Sequence, residues 1–465
     1  MAELEFHGAA QTVTGSMHLL HLSDGAVSLD SGLFQGRRAW AREKNASMPI
    51  DPSALQAVLL SHAHIDHSGN IPRLVRDGFT GSIYATPVTV DLCRIMLADS
   101  AYLQEEDARY WNEKRASGPE EYIEPLYTIE DAQAAEKHFR AVNYKEPLTF
   151  AAGGRATYME AGHILGSAII LLELEGENSV RLVYTGDLGR FDLPILRDPT
   201  CPLPTADYLI TECTYADRRH DNPKNMKQSL VRIIDETRAA GGKVIIPAFS
   251  VGRTQNIVFY LEQAIADGSL KPLPIYVDSP LSSAATEVFR NHPECFDATT
   301  TAFAKRQGDI FSNGPITYIT EVEQSKELHT RHEPCVILSA SGMCEAGRIL
   351  HHLKNNVEDK RSTVVVVGYM AEGTLGRRIV ERRPELKIFG RMYPLRCRVE
   401  ILNGFSAHAD AADFTRCFRS VAPGLKAAFV VHGEGRQPEA MHGILNGLGC
   451  RKVVIPEPGQ RFTLS

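Results

Sequence analysis

The sequence predicts an α/β protein of two domains, one of which is inserted into the other. A chain of 465 residues is longer than a domain with a single hydrophobic core usually is, so we expect two domains of roughly 200 residues each. Short β-rich runs separated by turns fill the first 213 residues, whereas regular strand–helix alternation begins near residue 224. No repeat, low-complexity segment or Ser/Gly linker separates the two regions, which favours insertion through short connections.

In the first region, apolar runs that end in polar residues predict strands. These runs are residues 26–29, 57–60, 82–84, 168–174 and 180–184. Two acidic segments predict helices on the outside of the domain: residues 92–111 and 128–142, joined by a break at Gly118 and Pro119.

The second region pairs each strand with a helix of regular length. The predicted pairs are 244–247 with 254–266, 275–277 with 284–291, 336–339 with 347–355, and 364–367 with 375–382. Such alternation indicates a parallel sheet flanked by helices. Shorter strand–helix units return at residues 398–402, 411–420, 426–431 and 438–448.

The composition is typical of a soluble globular protein, with 43% hydrophobic and 23% charged residues. The N-terminus resembles no signal peptide, and no apolar run is long enough to span a bilayer. Nine scattered cysteines without a CxxC pair indicate free thiols in a reducing compartment. We therefore expect a cytoplasmic protein with no membrane partner.

Charge is distributed unevenly along the chain, although the net charge is only −7. Residues 376–398 hold eight Lys/Arg and two Glu, a local balance of +6. Residues 99–136 hold eleven Asp/Glu and three Lys/Arg, a local balance of −8. These zones are compatible with a basic cleft on an acidic body, and equally with two solvated faces that bind nothing.

The segment AVLLSHAHIDHSGNIPRL, residues 57–74, predicts a metal site. Its apolar strand stops at Ser61, and a helix begins near Asn70. Four side chains of metal-ligand type lie between them: His62, His64, Asp66 and His67. A strand-to-helix loop lets such side chains converge on one point, and imidazoles with a carboxylate suit Zn²⁺.

Further side chains of ligand type lie at other strand ends. They are Asp30 in VSLDSG, His163 in AGHILG, Asp187 in YTGDLG, Glu212 in YLITE, His408 in SAHAD and His432 in VVHGE. Each fits an ordinary turn, capping or structural residue when considered alone. Because the loop by itself does not complete two metal sites, their shared context favours a centre built from several strand ends.

The HxHxDH loop and its spaced partners resemble the metallo-β-lactamase fold. With Glu212, AHAD and VVHGE placed around a strand–helix insert, the pattern resembles the β-CASP branch, a nucleic-acid-cleaving subgroup that includes the pre-mRNA 3′-end processing endonuclease. The likeness covers nearly the whole chain. It implies an αββα metallo-β-lactamase sandwich in residues 1–213 and 398–465, with a Rossmann-like parallel α/β domain, the β-CASP domain, in residues 214–397.

The resemblance also implies two Zn²⁺ per chain. The implied ligands are His62, His64 and His163 for one zinc, Asp66, His67 and His432 for the other, and Asp187 between them. Asp30 would orient a loop histidine by a hydrogen bond. Two cations about 3.5–4 Å apart hold a bridging hydroxide and neutralise charge on the attacking and leaving oxygens.

The implied activity is hydrolysis of RNA, which we expect to be single-stranded, to a 5′-phosphate and a 3′-hydroxyl. The implied catalytic residues are Asp66, Glu212 and His408, of which His408 would protonate the leaving oxygen. Relatives specialised for DNA carry an apolar residue at the position of His432, so this histidine favours RNA.

Three glycine-containing turns of the insert resemble phosphate-binding elements: PAFSVGRTQ, SASGMCEAGR and GYMAEGTLGRR. Backbone N–H groups at helix starts and neighbouring arginines bind phosphate, although glycine after a strand also serves simple turn geometry. The candidate phosphate-binding residues are Ser250, Arg253, Ser341 and Arg348. We expect RNA to lie in a cleft between the domains.

Other functions share this fold. A small-molecule hydrolase of thioesterase or lactamase type would not need the large insert, and a DNA nuclease would not need His432. A flavin-linked di-iron oxidoreductase would resemble HxExDH, whereas His64 replaces the glutamate here. An inactive scaffold would have lost ligands. The cleavage mode (endonuclease or 5′ exonuclease), the natural RNA, and a homodimer or processing-complex partner stay open.

Overall fold

The computed structural model describes residues 2–36, 38–115, 122–176, 179–368, 370 and 372–465. In chain order its strands are β1 (Ala2–Gly8), β2 (Met17–Leu22), β3 (Gly25–Leu29), β4 (Leu55–Leu59), β5 (Ser82–Ala85), β6 (Phe139–Ala141), β7 (Pro147–Ala151), β8 (Gly154–Glu160), β9 (Ala168–Leu174), β10 (Val180–Tyr184), β11 (Tyr208–Thr211), β12 (Val244–Pro247), β13 (Ile275–Asp278), β14 (Ile316–Ile319), β15 (Val336–Ser339), β16 (Thr363–Val366), β17 (Glu385–Ile388), β18 (Arg391–Pro394), β19 (Arg398–Ile401), β20 (Ala427–Val430), β21 (Val453–Val454) and β22 (Arg461–Leu464). Its helices are α1 (Arg38–Lys44), α2 (Ile65–Ser68), α3 (Ile71–Arg76), α4 (Pro87–Arg115), α5 (Ile129–Glu136), α6 (Met226–Ala239), α7 (Arg253–Ala266), α8 (Pro280–Asn291), α9 (Ala298–Gln307), α10 (Val322–Thr330), α11 (Ile349–Asn356), α12 (Leu375–Val380), α13 (Ala411–Phe418) and α14 (Gln437–Gly447).

The chain forms two compact units. The first unit comprises Met1–Phe191, Asp198–Arg219 and His408–Ser465, and the second comprises Asp192–Arg197 and His220–Ala407. The boundary predicted at residue 398 differs from this division. Strand β19 pairs in parallel with β16 and therefore belongs to the sheet of the second unit.

Two seven-stranded sheets pack face to face in the first unit. Their strand orders are β22-β1-β2-β3-β4-β5-β6 and β21-β20-β11-β10-β9-β8-β7. The facing sides share one core, in which the ring centroids of Phe6 and Phe429 lie 5.2 Å apart. Helices α13 and α14 pack on the outer face of the second sheet through Phe414, Phe418 and Leu445, and α4 contacts β6 of the first sheet. The predicted αββα sandwich is confirmed.

The direction of the strands fixes where the polar side chains of the first unit lie. In the first sheet β3, β4 and β5 run parallel, and in the second sheet β10, β11 and β20 run parallel. The carboxyl ends of parallel neighbours lie at the same edge of a sheet. The segments that follow β3, β4, β10, β11 and β20 therefore begin at two such edges.

The second unit contains a parallel sheet of strand order β14-β13-β15-β12-β16-β19. Its inner strands β12, β15 and β16 are buried and rich in Val and Ile, as strands covered on both faces are. Helices α11 and α12 pack on the sheet through Ile349, Leu353 and Ile379. The predicted parallel α/β insert is confirmed, and β17 and β18 add a separate antiparallel hairpin.

The prediction of one helix over residues 128–142 is wrong at its C-terminal end. Helix α5 ends at Glu136, and Phe139–Ala141 form β6, which pairs in parallel with β5. A three-residue edge strand is too short to show the alternation of apolar and polar residues that predicts a strand from sequence. The predicted break at Gly118 and Pro119 lies outside the described residues. Among the helices of the described ranges, none combines the length and hydropathy that a membrane span requires.

Candidate metal centre

The loop between β4 and α3 supplies one side of the centre. Strand β4 ends at Leu59, and the chain then passes His62 and His64 before the single turn of α2. That turn contains Asp66 and His67. Extended backbone followed at once by helical backbone turns these side chains toward a common point, which no continuous strand or helix face would do.

The first group of ligand-type residues comprises His62, His64, His163 and Asp187, whose ligand atoms lie within 4.8 Å of one another. Nδ1 of His64 lies 3.1 Å from Nε2 of His62 and 3.3 Å from Nε2 of His163. Oδ2 of Asp187 lies 3.5 Å from Nε2 of both His62 and His163. Three nitrogens and one oxygen therefore enclose a small volume.

The second group comprises Asp66, His67 and His432, whose ligand atoms also lie within 4.8 Å of one another. Nε2 of His432 lies 3.5 Å from Oδ2 of Asp66. Oδ1 of Asp187 lies 3.3 Å from Nε2 of His67. Because Oδ2 of Asp187 faces the first group, this one carboxylate adjoins both groups.

Three buried polar atoms at and beside the Asp187 carboxylate indicate that a metal ion fits between the two groups. Nε2 of His67, Oδ1 of Asp187 and Nε2 of His432 have no hydrogen-bond partner among the described residues. Burying polar atoms without partners costs free energy, and bound cations would satisfy all three atoms. Imidazole nitrogens with carboxylate oxygens are donors that suit Zn²⁺. The residues therefore fit divalent cations.

Burial controls the protonation of these imidazoles. It lowers the pKa of His62 and of His163 well below the usual range, and it lowers the pKa of His64 to about 4. A neutral imidazole is the form that binds metal. Burial acts on His67 too, but the carboxylates of Asp187 and Asp30 outweigh it and raise the pKa of His67 well above its usual value.

Asp30 fixes the ligand-bearing loop that follows β4 through hydrogen bonds. Its carboxylate accepts hydrogen bonds from the backbone N–H and the hydroxyl of Ser61, both at 2.7 Å, and from the hydroxyl of Tyr184 at 2.5 Å. Nδ1 of His67 donates to Oδ2 of Asp30 at 2.6 Å. This hydrogen bond fixes the ring so that Nε2 of His67 faces Asp187.

A third group combines Glu212 and His408 with Asp187. Glu212 accepts backbone hydrogen bonds from Leu188 at 2.7 Å and Thr214 at 3.2 Å. Nδ1 of His408 lies 3.0 and 3.2 Å from the two oxygens of Glu212, and 3.9 Å from Oδ2 of Asp187. Burial opposes protonation of His408, but Glu212 and Asp187 outweigh it and raise the pKa of His408 to about 9.

Three hydroxyl residues of the site were not predicted from the sequence. Ser61 and Tyr184 bind Asp30, and the hydroxyl of Thr214 lies 3.1 Å from Nδ1 of His432. Each is a close sequence neighbour of a predicted residue or ends a strand. That signal is too common to select a residue before the fold brings it to the site.

The candidate phosphate-binding residues lie in the second unit, at the turns that follow β12 and β15. These neighbouring strands are parallel, so both turns lie at one edge of the sheet. Ser250 and Ser341 are half-buried and Arg253 is buried. Nη1 of Arg348 donates to Oδ1 of Asp278 at 2.7 Å, so this arginine makes a structural ion pair.

Comparison with known families covers the chain in three parts. The metallo-beta-lactamase superfamily profile matches residues 15–211, and the Beta-Casp domain profile matches residues 254–379. A profile described as a Zn-dependent metallo-hydrolase RNA specificity domain matches residues 392–442. The fold and the three His/Asp/Glu groups thus define a metallo-hydrolase of the metallo-β-lactamase class.

Two individual relatives show which family of metallo-hydrolases the chain belongs to. A ribonuclease of Thermus thermophilus is 36% identical, and the match covers 97% of this chain and 98% of the relative. An RNase J-like protein of Methanocaldococcus jannaschii is 32% identical, with 94% of each chain covered. The chain belongs to the β-CASP family of RNA-processing nucleases, and it is a hydrolase.

A crystal structure of a protein of unknown function from Enterococcus faecalis V583 has the same fold. Its TM-score is 0.57 at 12% identity, and the match covers 100% of both chains. At that identity the likeness concerns the fold alone.

Proposed function

We propose that this chain hydrolyses phosphodiester bonds of single-stranded RNA with two bound zinc ions. The observation that carries the proposal is the position of Asp187. Its Oδ2 lies 3.5 Å from His62 and His163, and its Oδ1 lies 3.3 Å from His67. A carboxylate between two groups of histidines is the arrangement that a two-metal hydrolase requires.

The two ions would have separate ligands. The proposed ligands are His62, His64 and His163 for one ion, Asp66, His67 and His432 for the other, and Asp187 for both. When bound, the pair supplies a nucleophile from water at neutral pH and neutralises charge on the reacting phosphate. The zinc-dependent family description and the N/O donor set support zinc over calcium or magnesium.

The remaining residues of the centre position groups and move a proton. Glu212, held by two backbone N–H groups, fixes Nδ1 of His408. The other ring nitrogen, Nε2, is then the atom that gives a proton to the leaving oxygen. Asp66 would contribute to catalysis as a metal ligand, and its negative charge would stabilise the bound cation. The products would be a 5′-phosphate and a 3′-hydroxyl, as the family likeness implies.

RNA as the substrate is supported by the relatives and by one residue. The Thermus relative is named a ribonuclease, and the C-terminal profile is named for RNA specificity. By the family likeness, His432 occupies a position that is apolar in relatives specialised for DNA. In the second unit, which we propose to act as the β-CASP domain, Ser250, Arg253 and Ser341 would bind phosphates. Arg348 would act through Asp278, which it holds in place.

The test is cleavage of end-labelled single-stranded RNA by the purified protein, with zinc measured by elemental analysis. We expect two zinc ions per chain, and loss of cleavage when a chelator removes them. Cleavage that persists after complete zinc removal would refute the metal mechanism. Faster turnover of a thioester, a β-lactam or single-stranded DNA than of RNA would refute the substrate. The ladder of products distinguishes internal cleavage from 5′-end degradation.

A cytoplasmic location is also proposed. The nine cysteines are free, and eight of them are buried, as expected in a reducing compartment. Fractionation of cells that express the protein at native level is the direct measurement, and recovery in the membrane fraction would contradict the proposal.

A further inference from the structure

A β-hairpin of the second unit carries an aromatic side chain at its tip. Strands β17 and β18 pair from Glu385–Pro394 to Ile388–Arg391, which leaves Phe389 and Gly390 as a two-residue turn. Both turn residues have left-handed backbones, with φ of 49° and 79°. Hairpin turns of this kind favour Asn, Asp or Gly, because bulky side chains resist positive φ. A phenylalanine here opposes the local backbone preference, as residues at functional sites often do.

The ring of Phe389 lies at the surface and has a rigid support. Phe389 and Met392 are each 54% exposed, whereas Leu386 and Ile388 on the inner side of the hairpin are buried. The ring centroid of Phe389 lies 4.6 Å from that of His351, an exposed residue of α11. Phe389 and His351, here called the aromatic patch, therefore form an exposed pair of rings beside a buried anchor.

Positive charge is concentrated in the hairpin and its flanking segments, and Lys387 and Arg391 each lie two positions from Phe389. Four exposed cations lie in the hairpin and its flanking segments: Arg378, Lys387, Arg391 and Arg396. Within the described ranges of the chain, none of these four forms an ion pair, whereas neighbouring Arg383 is bound by Glu381. The unpaired cations of the hairpin, Lys387 and Arg391, provide charge for an anionic ligand, since no carboxylate of the described residues forms an ion pair with them.

We propose that this hairpin, residues 385–394, is a binding surface for single-stranded RNA. Bases stack on Phe389 and His351, while Lys387 and Arg391 contact the phosphates on either side of the stacked bases. Stacking accepts any base because every base has an aromatic face, and the cations follow the backbone without reading sequence. The proposal rests on the proposed function, which makes RNA the substrate, but it involves residues distinct from those of the metal centre.

A polyanion with flat bases fits this surface better than a peptide does. An apolar peptide would leave Lys387 and Arg391 desolvated and unpaired, which costs free energy. An acidic peptide would satisfy the charges but would leave the rings of Phe389 and His351 without a specific partner. Only a single-stranded nucleic acid offers both groups at a regular spacing.

The experiment measures binding separately from cleavage. The full-length protein carries His408→Ala to suppress hydrolysis, and fluorescence anisotropy reports its affinity for a labelled oligouridine RNA of about 20 nucleotides, longer than a typical single-strand site. Phe389→Asn removes the ring, and asparagine suits the positive φ, so the hairpin should keep its fold. We expect about tenfold weaker binding, within the range for loss of one stacked base. Phe389→Tyr keeps the ring and should keep the affinity.

The charges are tested through the salt dependence of binding. Lys387→Gln with Arg391→Gln should reduce the slope of log affinity against log salt by about 1.4, because each single-strand phosphate contact contributes about 0.7. Lys305→Gln with Arg306→Gln at the end of α9 changes the net charge equally and should leave the slope unaltered.

The outcomes separate the two proposals. Equal RNA affinity and equal salt slope in the parent and both hairpin variants would overturn the hairpin proposal and would leave an acidic protein as the partner of this surface. Absence of RNA binding by the parent protein would overturn it as well. Normal binding combined with no RNA cleavage by the protein that retains His408 and zinc would refute only the proposed function.

Discussion

Nδ1 of His408 lies 3.0 Å from Oε1 of Glu212, although the two residues are 196 positions apart in the chain. Two backbone N–H groups and this imidazole form hydrogen bonds with the two carboxylate oxygens of Glu212. A carboxylate held in this way fixes the ring beside it. The pair therefore acts as one unit in the proton transfer that we propose.

Removing either member of this pair should slow the chemical step by different amounts. His408→Ala eliminates the proton donor, and we expect kcat to fall about 100- to 10,000-fold with both zinc ions retained. Glu212→Gln keeps a side chain of the same shape and should reduce kcat about 10- to 100-fold, as loss of a supporting hydrogen-bond partner does. Single-turnover kinetics at saturating RNA provides the measurement. A normal kcat for His408→Ala would rule out its role as proton donor.

The same pair predicts the direction of a change in pH dependence. The pKa of His408 is raised to about 9, chiefly by Glu212 against the effect of burial. A proton donor must be protonated, so kcat should fall as the pH rises through this value. In Glu212→Gln the supporting charge is absent, and the decline should begin at lower pH. A pH–rate profile whose alkaline limb is unchanged in the variant would contradict the assignment.

Substitution of a ligand should remove metal as well as activity. His62→Ala or Asp187→Ala deletes a donor atom from an otherwise buried site, and we expect the zinc content to fall from two ions to one or none. Asp187→Ala should have the larger effect because its carboxylate adjoins both groups. The matched control is His332→Ala, which removes an exposed histidine of the second unit. Two retained zinc ions in either ligand variant would disprove the ligand set.

Asp30 and Tyr184 should control metal affinity without contacting the metal. Tyr184→Phe removes one hydrogen bond to Asp30 and leaves the packing intact, so we expect a modest rise in the dissociation constant of zinc. Asp30→Ala also frees the loop at Ser61 and the ring of His67, and it should weaken binding by about 10- to 100-fold. Competition with a chromogenic chelator measures both effects. Equal affinity in wild type and Asp30→Ala would show that the loop is held by other contacts.

In the second unit, Asp278 should be important for stability. It is fully buried and binds Arg348 at 2.7 Å, His352 at 2.6 Å and Ser325 at 2.5 Å. Asp278→Asn leaves a partly buried arginine without its anion, and we expect the free energy of unfolding to fall by about 3 kcal/mol. Asp267→Asn, which breaks an exposed ion pair with Lys227, is the control and should change it by about 0.5 kcal/mol or less.

The stabilising effect of Asp278 should depend on pH in a defined direction. Although burial opposes it, hydrogen bonds from His352, Ser325 and Arg348 lower the pKa of Asp278 below its usual value. A group with a lowered folded-state pKa stabilises the protein above its unfolded-state pKa, and this contribution is lost as the pH falls through the folded-state value. The difference between wild type and Asp278→Asn in urea unfolding should therefore shrink below about pH 4. A difference that grows on acidification would contradict this explanation.

The sequence by itself determined the ligand-rich loop and the alternation of the insert, because both depend on local spacing. His62, His64, Asp66 and His67 lie within six consecutive positions, and buried parallel strands such as Val244–Pro247 and Val336–Ser339 are continuous apolar runs. For the same reason a family could be named from the HxHxDH, AHAD and VVHGE motifs. The three groups of ligand-type residues in the described part of the chain consist of residues from these motifs together with His163, Asp187 and Glu212, which the sequence placed at strand ends.

Only the tertiary structure decided which contacts these residues make. Ser61 and Tyr184 follow or end strands β4 and β10, and they reach Asp30 only because these strands lie in facing sheets. Arg348 was expected to bind phosphate, yet its guanidinium binds Asp278, 70 positions away. Strand β19 pairs with β16 and moves the unit boundary from residue 398 to His408. Hydrogen bonds and strand pairing between distant segments depend on packing, which local sequence patterns do not encode.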